Sequence, residues 1–141
     1  MCPPQNRMTK NLNWKPINPP RNLRPDELAI VNKLLSAAFP GQGDLVQQIK
    51  STKVISECQC GCPSIGLKVL DQGAKPAEVH KSVPVEAQVP PMAEFKLSTH
   101  VLLHVDSKGF LDELEFYRDD GENRLIKIPD PESLELIVLP E

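Results

Sequence analysis

Residues 99–117 constrain the fold more than any other stretch of this chain. Thr99 to Asp106 reads as a strong strand, and Phe110 to Tyr117 reads as its hairpin partner. Between them, Asp106-Ser107-Lys108-Gly109 is a turn whose last residue tolerates a positive φ. Side chains alternate across a strand, so Leu114 and Phe116 point inward while Glu113 and Glu115 point to solvent. Asp119-Asp120-Gly121 turns the chain again. A hairpin of this kind needs further strands and an apolar cover to be stable.

The rest of the sequence supplies both. Residues 25–39 predict a helix, with Pro25 at its first position and Asp26 and Glu27 complementing the positive helix start. Leu28, Val31, Leu34, Leu35 and Ala38 form its apolar stripe, and Pro40-Gly41 stops it. Asp44 caps a shorter helix running to about Lys50. Strands are predicted at 53–57, 65–70 and 83–89, with Pro84 marking an edge position. A short strand follows at 125–128, and 136–139 is a short terminal strand or a packed tail. The order predicts an α+β fold with two N-terminal helices packed on an antiparallel sheet of four to six strands.

Residues 1–22 read as a flexible, Pro-rich, basic tail, and residues 23–141 as a single domain. Fifteen prolines are about twice the usual share, and they cluster near the start. Met8 is an alternative start position. Trp14 and Ile17 are residues there that can dock on the domain. Deleting residues 1–22 is therefore expected to leave the fold intact. No apolar run approaches the length of a membrane span, and the start lacks the order of a signal peptide, which points to the cytoplasm. The net charge of −3 is unevenly spread: residues 1–24 carry +5, residues 25–105 carry −1, and residues 106–141 carry −7. Five basic charges without interleaved aromatics do not make a nucleic-acid surface.

Three of the four cysteines fall in the pattern Cys58-x-Cys60-x-Cys62, within Cys60-Gly61-Cys62-Pro63. In a cytosolic protein these are reduced thiols or metal ligands rather than disulfides. On a strand, all three would share one side, and His100 or His104 would supply a fourth zinc ligand. The one-residue spacing and the lack of a second pair favour a tight strand-to-strand turn instead. Gly61 gives that turn its freedom, and Pro63 fixes φ before the next strand. No cofactor is then expected, with less than about 0.2 zinc per chain as the measurable consequence. A catalytic thiol is the third alternative, but no histidine lies beside it in sequence to serve as base.

Residues 23–71 and 99–131 resemble a group of small, uncharacterised bacterial proteins. The resemblance rests on Leu34-Leu35-Ser36-Ala37-Ala38-Phe39-Pro40-Gly41, on Cys60-Gly61-Cys62-Pro63-Ser64-Ile65, and on the hairpin 102–122 with Pro129-Asp130-Pro131 after it. It implies a bacterial origin and a shared fold, and no particular activity. The acidic end of the hairpin also resembles small immunity proteins that block secreted toxins. Together these suggest a non-enzymatic domain that binds a basic protein partner through Asp112, Glu113, Glu115, Asp119, Asp120 and Glu122. The rival is a small metal- or thiol-dependent protein built on Cys58, Cys60 and Cys62. Nothing in the sequence fixes an oligomeric state.

Overall fold

The computed structural model describes residues 14–91 and 97–138. Seven strands build one sheet: β1 (Trp14–Arg21), β2 (Thr52–Cys58), β3 (Ile65–Val69), β4 (Val85–Val89), β5 (Thr99–Val105), β6 (Leu111–Arg118) and β7 (Glu135–Ile137). Their order across the sheet is β1-β2-β3-β6-β5-β4-β7, and every neighbouring pair is antiparallel. Two helices, α1 (Pro25–Leu34) and α2 (Gln42–Gln48), lie in sequence between β1 and β2.

This corrects the expectation of two N-terminal helices on four to six strands. A strand precedes both helices, and the sheet has seven strands. The unexpected strand, β1, is an edge, and so is β7, which overlaps the terminal strand expected at 136–139. β1 carries Pro16, Pro19 and Pro20, which lack a ladder donor and are tolerated only where one side of the strand is unpaired. Its register on β2 slips between Pro16 and Arg21. β7 is three residues long. Neither strand has the apolar alternation that marks a central one. The strand expected at 125–128 is absent. A 3-10 turn over Asn123–Leu125 stands at its start, closed by the Asn123 side chain accepting the Arg118 N–H at 2.8 Å. Residues 1–13 of the predicted tail, with Met8 and Cys2, lie outside the described residues, as does Leu139 at the end of the predicted terminal strand. Among the described residues, no helix is long and apolar enough to cross a membrane.

The sheet has two chemically distinct faces. Val54, Leu67, Val85, Ala87, Val101, Leu103, Leu114 and Phe116 pack with Ile30, Val31 and Leu34 of α1 and Leu45 of α2 into the main core. The opposite face carries the alternate residues of the central strands, including His104, Glu113 and Glu115. Helix α1 ends at Leu34 rather than near 39. The N–H groups of Ser36 and Ala37 turn back to the carbonyls of Lys33 and Leu34, tightening its last turn. Helix α2 is tied to the hairpin by Gln48, whose buried amide donates to the Lys75 and Gly109 carbonyls and accepts the Leu111 N–H at 3.0 Å. Gly109 has φ +94, and a Cβ there would meet the Ala77 carbonyl oxygen at 2.4 Å, so the turn requires glycine.

One ion cluster joins β1 to α1. The buried Glu27 carboxylate receives Arg21 through two nitrogens at 2.8 and 3.0 Å, the Arg24 guanidinium at 3.1 Å and the Arg24 N–H at 2.8 Å. Burial opposes its ionisation most strongly, but Arg21, the Arg24 N–H and the two positive charges together outweigh burial and hold its pKa below the usual carboxylate range. A depressed folded pKa contributes stability that is complete above the unfolded value, about 4.3, and is lost as pH falls through the folded value. Glu27→Gln should therefore cost about 2 kcal/mol at pH 7. Urea unfolding at pH 7 and pH 3 checks this: the gap between parent and variant should shrink at the lower pH.

Candidate metal centre

The cysteine segment is the turn between β2 and β3. Strand β2 ends at Cys58, the Gly61 N–H bonds back to the Cys58 carbonyl at 3.3 Å, and Gly61 takes φ +91. Pro63 then leads into β3. Cys60 is thus on a turn and not on a strand, but the turn still gathers the sulfurs. Cys58 Sγ lies 3.3 Å from Cys60 Sγ, and the Cys62 N–H points at Cys60 Sγ at 3.4 Å. All three Sγ atoms lie within 4.8 Å of one another, close enough to share one metal ion once Cys60 is a free thiol. Cys58 and Cys62 are buried free thiols. Cys60 is disulfide-bonded, contrary to the expectation of three reduced thiols. Trp14 of β1 packs against Cys58 and Cys62.

The two free thiols are electrostatically unequal. A hydrogen bond from Cys58 favours the thiolate at Cys62. Burial opposes ionisation, and the Ser64 side chain and N–H add further donors, leaving Cys62 lowered to about 6. Cys58 is pushed up because it holds the shared proton for Cys62 and is itself buried. Ser64 also locks the turn to the sheet. Its hydroxyl oxygen accepts the Phe116 N–H at 2.9 Å, so a side chain continues the ladder where β3 begins.

The acidic hairpin is not the solvated face that alternation suggested. Glu113 and Glu115 do point away from Leu114 and Phe116, but they are only 4% and 8% exposed. Strand β6 is central, with β3 and β5 on either side. Glu115 Oε1 meets His104 Nε2 at 2.8 Å. Asp112 is half-buried. Asp119 and Asp120 are exposed, yet each has a partner within the chain. Asp119 accepts the Ser98 N–H at 2.9 Å and meets His100 Nε2 at 2.6 Å, and both hold its pKa down. Asp120 accepts Arg118 Nε at 3.0 Å, and Glu122 lies 3.6 Å from Arg124.

The predicted fourth zinc ligand is placed differently. His100 stacks on Tyr117, with ring centroids 4.5 Å apart, and is turned to Asp119. His104 converges with Glu113 and Glu115 rather than with the thiols. The two groups are nevertheless neighbours: the Glu113 carboxylate raises the Cys58 thiol, and the Glu115 carboxylate opposes ionisation of Cys62. Sequence reasoning missed Ser64 and Trp14 as parts of this site. The register of Trp14 opposite Cys58 would have been the signal, had β1 been read as a strand. No protein-family model, curated protein or solved structure matches the chain.

Proposed function

We propose that this chain is a metal-binding protein whose centre is the thiolate triad Cys58, Cys60 and Cys62, with zinc as its cation. The convergence of three sulfurs within 4.8 Å carries this reading. Tetrahedral zinc with Zn–S bonds of about 2.3 Å places its sulfurs roughly 3.8 Å apart, so small rearrangements of the turn suffice. Three protein ligands leave a fourth position open for water or a neighbouring side chain. Zinc requires the thiol of Cys60, so loading depends on reduction of the disulfide there. Docking of a basic protein on the hairpin, the immunity-type role, has less support: its exposed carboxylates, Asp119 and Asp120, are already paired with His100 and Arg118.

Zinc titration of the metal-free chain, kept reduced by a phosphine, tests the proposal. One zinc per chain should bind, and the melting temperature should rise with it. Less than about 0.2 zinc per chain, with a melting temperature indifferent to a chelator, would sink it.

A further inference from the structure

We infer that His104, Glu113 and Glu115 form a second cation site, distinct from the thiols, for a first-row divalent metal of the manganese(II) or iron(II) kind. One histidine nitrogen and one oxygen from each carboxylate lie within 4.8 Å of one another. The strands build this triangle. Glu113 is the direct cross-strand partner of His104, and Glu115 is two residues further along the same face. Central strands β5 and β6 hold all three positions in a rigid ladder.

The set differs from a run of surface acids in two respects. It includes an imidazole, and both of its carboxylates are more than nine-tenths buried. His104 Nε2 already meets Glu115 Oε1 at 2.8 Å, so the donor atoms converge without rearrangement of the strands. Mixed nitrogen and oxygen donors suit borderline-to-hard cations, whereas the sulfurs of the neighbouring turn suit zinc. Three protein ligands leave an octahedral cation open positions for water or a small anionic ligand.

The inference does not rest on zinc binding at the thiols, and the test keeps the two apart. Manganese(II) is titrated into the full-length reduced chain, and free ion is followed by its electron paramagnetic resonance signal. The parent and a Cys58→Ser/Cys62→Ser variant should each bind one manganese. Glu113→Gln and His104→Gln should each weaken binding more than tenfold, while Asp119→Asn, outside the triad, should leave it unchanged. Failure of the parent to bind manganese at millimolar concentration overturns the inference, as does parent-like affinity in Glu113→Gln. If a variant does not fold, cobalt(II) spectra of the parent decide. An equivalent bound without a thiolate-to-metal charge-transfer band supports the site, whether or not the thiols also bind. Uptake of a single equivalent, with that band, overturns it.

Discussion

Replacing Cys62 with serine should weaken zinc binding by the reduced chain at least about 100-fold, because the change removes a direct thiolate ligand, whereas outer-shell changes alone cost 10- to 100-fold. Cys62 is the thiol already biased towards ionisation, lowered to about 6 with Cys58 as its principal donor. Zinc therefore meets one sulfur that is already biased towards the thiolate. Cys58→Ser should be nearly as costly for another reason: a ligand is lost, and so is the thiol that favours the Cys62 thiolate. Ser64→Ala removes only an auxiliary donor and should have the smallest effect of the three. Competition with a chromophoric zinc chelator measures all three variants. Equal affinity in parent and Cys62→Ser would place zinc somewhere other than this turn.

The hairpin shows which parts of the molecule were legible in the sequence. Leu114 and Phe116 alternate inward, and Gly109 has the positive φ that its turn needs. Such features depend on a few neighbouring residues, and local sequence records them. The burial of Glu113 and Glu115 depends instead on what covers their face of the sheet. Alternation assigns a side chain to a face, but it does not say whether that face is shielded. An acidic residue on an uncovered sheet face stays wet even on a central strand, and the same residue on a covered face does not. The buried carboxylates, read as an exposed interface, are instead two of the three ligands of the proposed second cation site.

The thiols show a related limit. Spacing rules for zinc knuckles describe ligands on standard loops, and the one-residue gaps here do not fit them. What gathers the sulfurs is the turn closed by Gly61 and pinned to β6 by Ser64. The relevant pairings reach across the sheet, so the sequence of the segment alone does not contain them. Edge strand β1 was hidden for the opposite reason. Its three prolines and mostly exposed residues leave little apolar pattern to read.

A chain beginning at residue 23 should be less stable than one beginning at residue 14 by at least about 4 kcal/mol. This reverses the expectation that the first 22 residues are dispensable, and the comparison isolates β1. Trp14 anchors one end of that strand at 5% exposure, opposite Cys58. Truncating a buried Trp or Phe typically costs about 3–5 kcal/mol. Arg21 anchors the other end through its two bonds to the buried Glu27 carboxylate. Without Arg21, Glu27 keeps only Arg24, whose side chain is 54% exposed, so more of its burial goes uncompensated. The prolines between these anchors contribute little, since most of that stretch is exposed. Removing the strand also uncovers β2 as a new edge with free ladder groups, which favours self-association. Urea unfolding should be followed by far-ultraviolet circular dichroism, because the shorter chain lacks the only tryptophan. Against a total stability of about 5–15 kcal/mol for a domain of this size, the shorter chain should be partly unfolded at 37 °C. A difference below about 1 kcal/mol, within the range of ordinary surface changes, would mean that β1 rests on the sheet without supporting it.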